Sequence, residues 1–156
     1  RQSAYYILGV RDHTVAELRE KLTKKEFSPE SISHALGEMQ RLKLVDDRAF
    51  ARRWVERSLG GRPAGRRKVA LELRRKGIAA DLIDETLEEF ADSLGSAEVA
   101  VEALRRQGWR YRRLDGERAR RRMFGFLARR GFDMELARRA VDQVWKELEE
   151  DGIESD

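Results

Sequence analysis

The sequence predicts an all-α protein of three tandem three-helix repeats, which we expect to be helix-turn-helix-like units in an elongated, curved helical array. Only two prolines occur among 156 residues, and the chain is rich in the helix formers Ala, Leu, Arg and Glu. Apolar residues recur at intervals of three and four, as at Ile32, Leu36 and Met39, which places them on one helical face. No segment shows the sustained apolar-polar alternation of a β-strand.

Capping residues and glycines predict where the helices begin and end. Thr14 forms a capping box with Glu17, and Ser28 precedes a proline at the first helical position. Asp46 and Asp133 also stand where N-caps are expected. Glycines mark the ends, at positions 60, 61, 77, 95, 108 and 131. The nine predicted helices span residues 2–9, 15–25, 29–42, 47–59, 66–76, 80–92, 96–107, 117–130 and 134–148.

An internal repeat groups these helices. The apolar residues Leu18, Leu22, Phe27, Ile32 and Leu36 recur 51 residues later as Val69, Leu73, Ile78, Ile83 and Leu87, and after a further 54 residues as Met123, Leu127, Phe132, Ala137 and Val141. Each copy reads as two amphipathic helices joined by a short turn with one inward-packing apolar residue. The alternative is a generic bundle in which similar hairpins recur by chance. We expect repeats at 1–45, 46–94 and 95–152, with an acidic tail at 153–156.

Composition excludes several classes of protein. Charged residues make up 40% of the chain, and no run approaches the roughly 18 apolar residues of a membrane-spanning helix. The absence of a signal peptide predicts a cytoplasmic protein without a membrane partner. The chain has no cysteine, which excludes disulfides, thiolate metal sites and thiol nucleophiles. Because the first residue is Arg1 rather than Met, the sequence leaves open whether an amino-terminal extension is missing.

No pattern for catalysis is present in the sequence. His13 and His34 are far apart in the chain and have no patterned partner, and no glycine-rich phosphate loop or nucleophile motif occurs. Asp46 and Asp47 are explained by the start of a helix rather than by a metal. We therefore expect no enzyme, no catalytic residue, no metal and no cofactor.

The charges are strongly segregated along the chain. There are 33 basic and 29 acidic residues, and 26 of the basic residues are Arg. Residues 66–76 contain six basic residues and one acid, and residues 105–139 contain thirteen Arg and four acids. Residues 81–98 contain seven acids and no basic residue. The arginine excess indicates a polyanionic partner or ion-paired helices, and codon bias is an alternative explanation.

The repeat predicts a basic surface. Lys68 and Arg75 share one flank of a helix, and the 54-residue shift places Arg122 and Arg129 at the equivalent positions. These four residues would form a stripe able to follow a phosphate backbone or an acidic groove. We expect further contributions from Arg67, Arg74, Arg121, Arg52 and Arg53. The alternative is a solvated helix face whose arginines form ion pairs with neighbouring acidic helices.

Aromatic residues divide into two groups. Phe50, Trp54 and Trp145 lie on apolar helix faces and are expected to pack in the core. The connection after Gly108 instead places aromatic rings among arginines, where the rings could stack on bases or guanidinium groups or could pin the loop to the core. The candidate contact residues in this loop are Trp109, Arg110, Tyr111, Arg112 and Arg113.

Three segments resemble the RecX family of recombinase regulators: residues 14–22 (TVAELREKL), 44–51 (LVDDRAFA) with Trp54 beyond them, and 72–78 (ELRRKGI). The sequence departs from the family at Glu26, where Gly usually precedes the aromatic residue. The resemblance implies a non-enzymatic monomer that binds the filament of RecA recombinase on single-stranded DNA. It further implies inhibition of the ATPase, coprotease and strand-exchange activities of RecA, and hence a role in recombination, DNA repair and the SOS response.

Several functional questions stay open on the sequence. The protein could cap the filament or lie along its groove, and it could contact single-stranded DNA and also double-stranded DNA. A different class of function is a helix-turn-helix-like DNA-binding regulator that acts independently of RecA. A third is a helical-repeat adaptor for an unrelated acidic protein.

Overall fold

The computed structural model describes residues 2–154, and within this range the chain forms helices and no strand. The all-α prediction is confirmed. None of the described helices has the length and apolar character needed to cross a membrane. A short 3₁₀-helix spans Gly108–Arg110. The α-helices are α1 Gln2–Val10, α2 Val15–Lys24, α3 Pro29–Arg41, α4 Asp47–Gly60, α5 Arg66–Arg75, α6 Ala80–Glu89, α7 Ala91–Leu94, α8 Ala97–Arg105, α9 Gly116–Arg129 and α10 Met134–Glu154.

Two helices differ from their predicted extents by more than two residues. The helix predicted over 80–92 is divided into α6 and α7, because the backbone leaves the helical conformation at Phe90. The last helix continues beyond the predicted residue 148 to Glu154. Glu is a good helix former, and the Trp145 indole Nε1–H donates to Glu149 Oε1 at 2.9 Å across this extra length. The predicted acidic tail 153–156 thus begins inside α10, and residues 155 and 156 lie outside the described residues.

The predicted caps are confirmed. The backbone N–H of Glu17 donates to Thr14 Oγ1 and that of Thr14 donates to Glu17 Oε1, both at 3.1 Å, which completes the capping box. Ser28 caps α3 through the N–H of Ser31. The carboxylates of Asp46 and Asp133 accept from the backbone N–H of the third residue beyond them. Asp115 caps α9 in the same way, although this cap was not among the predicted ones. These bonds satisfy backbone donors that a helix start otherwise leaves without an intrahelical partner.

The chain forms two compact units. The amino-terminal unit contains residues 1–54 and 72–86, and the carboxy-terminal unit contains residues 55–71 and 87–156. The amino-terminal unit has a core of Ala4, Ile7, Leu18, Leu22, Ile32, Leu36, Met39 and Val45. The carboxy-terminal core is formed by Ala100, Val101, Ala103, Leu104, Tyr111, Ala119, Met123, Leu127, Phe132, Leu136, Ala137, Ala140, Val141 and Val144.

Within the amino-terminal unit, the start of α2 packs against the turn after α5. The Thr14 hydroxyl donates to the carbonyl of Lys76 at 2.6 Å. Gly77 has a φ of +83°, and a Cβ added to it would lie 2.3 Å from the Cβ of Ala16. Glycine is therefore required at this turn both by its backbone conformation and by the close approach of α2. We call this contact the first joint.

An equivalent contact, the second joint, lies within the carboxy-terminal unit. The N–H of Gly65 donates to the carbonyl of Arg130 at 2.7 Å. Gly131 has a φ of +86°, and a Cβ added to it would lie 2.3 Å from the backbone nitrogen of Lys68. The offsets of 51 and 54 residues relate Thr14 to Gly65 and Lys76 to Arg130. The repeat in the sequence is therefore also a repeat in the packing of a helix start against a turn.

The first repeat has the same turn without such a covering helix start. Glu26 has a φ of +64°, close to those of Gly77 and Gly131. Phe27 beside it is 44% exposed, whereas its counterparts Ile78 and Phe132 are buried. The prediction that Phe27 packs inward is wrong, and the turn before Phe27 differs from those before Ile78 and Phe132 in lacking such a helix start. Residues 2–13 provide no equivalent helix start.

Candidate functional site

The predicted basic surface has members in both units. Arg75, Arg74, Arg52 and Arg53 lie in the amino-terminal unit, and Lys68, Arg67, Arg121, Arg122 and Arg129 lie in the carboxy-terminal unit. All are exposed except Lys68, which is half-buried where its backbone packs against Gly131 in the second joint. The cationic side chains of the set are therefore positioned at the surface, as a binding function needs.

Helix α9 and the loop before it bring two predicted groups of residues together. Arg122 and Arg129 lie two turns apart on α9, next to the buried residues Met123 and Leu127. Burial raises the pKa of the Tyr111 hydroxyl, and the nearby charges of Arg110, Arg129 and Arg122 oppose this rise. The charges of these three arginines therefore act on the same group, and we call the three residues the Tyr111 cluster.

The arginines of the Tyr111 cluster keep their charge available. Among the described residues, no carboxylate forms an ion pair with Arg110, Arg122 or Arg129. Three like charges that act on one group create a positive field that an incoming anion would relieve. A guanidinium group also offers a planar set of donors that matches phosphate and carboxylate oxygens. The cluster is thus suited to bind a polyanion.

Two other predicted cations are paired with acids, although not with the neighbouring acidic helices of the alternative interpretation. The Arg121 guanidinium Nη2 lies 3.1 Å from Glu117 Oε1, and the Arg53 Nη2 lies 3.0 Å from Asp12 Oδ2. Both pairs are exposed to solvent, and such pairs typically contribute about 0 to 1 kcal/mol, so a partner could replace them at little cost. Ion pairing therefore accounts for Arg121 and Arg53 but not for the Tyr111 cluster.

The two aromatic rings of the loop have different environments. Trp109 is 68% exposed, and the guanidinium carbon of Arg110 lies 5.0 Å from its ring centroid. Tyr111 is only 4% exposed and belongs to the carboxy-terminal core. This corrects the candidate contact set, since Tyr111 pins the loop to the core and presents almost no surface to a partner. Arg112 and Arg113 are exposed beside it.

Sequence reasoning missed three arginines that lie near Trp109, namely Arg62, Arg106 and Arg130. Arg106 donates to the carbonyls of Gly60 and Gly61. Arg130 donates to the carbonyls of Pro63 at 3.0 Å and Arg62 at 2.5 Å. The Gly-Gly-Arg-Pro sequence signals a loop whose carbonyls need donors, but no sequence pattern identifies donors that lie 45 and 67 residues away.

The most specific family segment, residues 44–54, contributes to structure. Asp47 accepts a hydrogen bond at 2.9 Å from the N–H of Val15, and burial raises the pKa of its carboxyl group. Phe50 and Trp54 stack with ring centroids 5.9 Å apart, and the indole N–H of Trp54 donates to Glu72. These contacts tie α4 to neighbouring elements of the amino-terminal unit. In the described part of the chain, no group of three or more His, Cys, Asp or Glu side chains is arranged to hold a metal ion.

Comparisons with known proteins identify the family. Family models described as the first, second and third three-helix domains of RecX match residues 1–39, 46–87 and 96–141. The Regulatory protein RecX of Chlorobium phaeobacteroides strain BS1 is 32% identical over 143 residues, which cover 92% of this chain and 91% of the relative. The chain belongs to the RecX family. Its three matched domains follow the predicted order of three-helix repeats.

Other RecX proteins agree with this assignment. The Regulatory protein RecX of Streptomyces coelicolor is 37% identical over 138 residues, covering 88% of this chain and 73% of the relative. The crystal structure of RecX from Lactobacillus salivarius superposes with a TM-score of 0.78 at 22% identity, covering 95% of this chain and 93% of that one. The likeness to the crystal structure shows a shared fold, and the sequence relatives show a regulatory protein of the RecX family.

Proposed function

We propose that this protein is a non-enzymatic regulator of RecA recombinase that binds the RecA filament on single-stranded DNA and inhibits its ATPase, coprotease and strand-exchange activities. Membership of the RecX family supports the choice of RecA as the partner. On this proposal the protein acts as a cytoplasmic monomer without a cofactor, and the ATP chemistry belongs to RecA. Light scattering at the concentrations used for binding tests the monomeric state, because a dimer would double the measured mass.

The Tyr111 cluster is the observation in the structure that best supports binding to such a filament. A filament on single-stranded DNA carries phosphate groups and can also expose acidic side chains. Arg110, Arg122 and Arg129 offer exposed guanidinium groups, and among the described residues no acid pairs with them. Guanidinium groups bind phosphate and carboxylate oxygens with the same donor geometry. The surface therefore fits a partner that combines protein and nucleic acid.

Charge reversal tests the proposed surface. Changing Lys68, Arg75, Arg122 and Arg129 together to Glu should weaken binding to RecA-coated single-stranded DNA by at least about tenfold, because attraction becomes repulsion at each position. Fluorescence anisotropy of a labelled oligonucleotide coated with RecA measures the affinity. A matched control changes four other exposed cations, Arg19, Lys21, Arg41 and Lys43, and alters the net charge equally. Unchanged binding by the first variant, or an equal loss in the control, would contradict the proposed surface.

The measurement also separates the proposal from a DNA-binding regulator that acts without RecA. Binding through phosphate contacts alone falls steeply with salt, with a slope of about −0.7 per contacted phosphate on single strands in a log–log plot. Under the RecA proposal, RecA-coated DNA binds the protein more tightly than naked DNA at every salt concentration. Equal affinity for naked and coated DNA with the same salt slope would favour the independent regulator.

A further inference from the structure

The carboxy-terminal unit contains a cavity of about 270 Å³ beside the 3₁₀-helix, outside the predicted basic stripe. Its lining combines apolar groups, including Phe126 and Pro63, with an exposed aromatic ring and cationic side chains. The ring is Trp109, and the cations are Arg62, Arg106, Arg110 and Arg130.

Two of the arginines that line the cavity donate hydrogen bonds to neutral groups. Arg106 and Arg130 donate to backbone carbonyls of the 60–63 loop, and the N–H of Gly65 donates to the Arg130 carbonyl at 2.7 Å. A carbonyl accepts the hydrogen bond without neutralising the guanidinium charge. The Glu102 carboxylate lies 3.5 Å from the guanidinium group of Arg106 and is itself exposed. With four arginines in its lining the cavity is cationic, and hydrogen bonds to the 60–63 loop position two of the four.

The aromatic wall is unusual for its exposure. Trp109 is 68% exposed, while Tyr111, two residues on, is buried in the core. Arg110 lies over one face of the Trp109 ring, with its guanidinium carbon 5.0 Å from the ring centroid, so the two groups form a stacked aromatic platform at the cavity. Flat rings and guanidinium planes are the surfaces on which unstacked bases pack.

We propose that this cavity binds one nucleotide of a single strand, with the base against Trp109 and the phosphates beside the arginines. Its volume is below the roughly 300 to 1,000 Å³ typical of drug-sized ligand sites, which suits a single base with its sugar. A duplex keeps its bases stacked and cannot place one there without unpairing it. An acidic peptide would engage only the arginines and leave the aromatic platform unused.

The proposal deepens the proposed function, because it assigns a contact with the single strand to a defined site, and it can be tested without RecA. The full chain is titrated into labelled oligo-dT and into a duplex of equal length. Trp109→Ala should weaken oligo-dT binding roughly 5- to 150-fold, the range for loss of one stacked base, and should leave duplex binding within about twofold. Trp109→Phe keeps a stacking ring and should stay within about threefold of wild type.

Two further variants test the cationic part of the site. Arg62→Gln should weaken oligo-dT binding and make the salt slope shallower by about 0.7, the value for one phosphate contact on a single strand. Arg139→Gln removes an exposed cation that pairs with Glu135 and does not line the cavity, so it should change neither quantity. Circular dichroism confirms that the exposed substitutions leave the helices intact.

Three results would overturn the nucleotide site. In the first, Trp109→Ala binds oligo-dT as tightly as the wild-type protein does. In the second, Trp109→Ala loses as much affinity for the duplex as for oligo-dT. In the third, an acidic peptide displaces oligo-dT and binds Trp109→Ala as tightly as it binds the wild-type protein. Inhibition of RecA by the same variants separates this proposal from the proposed function. If oligo-dT binding depends on Trp109 but the protein has no effect on RecA, only the proposed function is contradicted. If the protein inhibits RecA but its oligo-dT binding does not depend on Trp109, only the nucleotide site is contradicted.

Discussion

Substitution of Gly77 by Ala tests the joint that the repeats share. Gly77 lies in the turn after α5 with a φ of +83°, and its missing side chain leaves room for Ala16 at the start of α2. The substitution therefore has two separate effects on the native state. It forces an L-residue into the left-handed region, and it places two methyl groups 2.3 Å apart.

The magnitude follows from these two effects. An L-residue in the left-handed conformation costs roughly 1 to 2 kcal/mol. Overpacking a close contact costs about 1 to 3 kcal/mol. Reduced entropy of the unfolded chain returns about 0.4 to 1 kcal/mol. We therefore expect Gly77→Ala to lower the free energy of unfolding by about 1 to 5 kcal/mol.

Urea unfolding followed by circular dichroism measures this loss as a shift in the midpoint at constant m. Gly37→Ala is the matched control, because Gly37 lies inside α3 and an added Cβ meets no atom within 4 Å. It should stabilise the protein by about 0.5 to 1 kcal/mol. In a double-mutant cycle, Ala16→Gly should recover about 1 to 3 kcal/mol of the Gly77→Ala loss by removing the overlap.

Two outcomes would refute this account of the joint. In the first, Gly77→Ala is no more destabilising than Gly37→Ala. In the second, Ala16→Gly recovers none of the loss, which would mean that α2 does not approach the turn as described.

Three other substitutions have effects of predictable direction. Glu26→Gly should raise the free energy of unfolding by up to about 1 kcal/mol, because Glu26 has a φ of +64° without a covering helix. A lower free energy of unfolding for this variant, measured by urea unfolding, would contradict this. Arg130→Gln should cost about 1 to 3 kcal/mol and speed proteolysis of the 60–65 loop, because carbonyls of Pro63 and Arg62 lose their donor; equal stability and cleavage would contradict it. His13 is buried with its Nδ1–H donated to the Arg11 carbonyl, and burial lowers its pKa. The imidazole therefore binds a proton more readily in the unfolded chain, and the free energy of unfolding should fall as the pH drops below about 6.5. His13→Gln should flatten this pH dependence between about pH 7.5 and 5.5. An unchanged slope in the variant would contradict the claim that His13 causes it.

Local features made most of the fold predictable. Helix periodicity and the capping residues Thr14, Ser28 and Asp133 are read from neighbouring positions, and the structure confirms them. The exposure of Phe27 was not predictable from the repeat pattern, because the matching residues Ile78 and Phe132 follow turns that a distant helix start contacts and Phe27 does not. Contacts between repeats therefore limit what the repeat pattern alone can predict.

The candidate site was predictable only in part. The charge pattern placed Arg122 and Arg129 on one exposed face, because helical geometry fixes the direction of each side chain. It could not distinguish exposed Trp109 from buried Tyr111, since both stand in the same arginine-rich segment. The cavity depends on Arg106 and Arg130 reaching a loop far away in the sequence, and local periodicity carries no information about such contacts.

The ATPase activity of RecA provides the most direct test of the central claim. RecA is assembled on single-stranded DNA, and the protein is added below equimolar amounts while ATP hydrolysis is followed. We predict that hydrolysis falls with wild-type protein, and that the variant with Glu at positions 68, 75, 122 and 129 is much less effective. Hydrolysis that stays constant as wild-type protein is added would contradict the account.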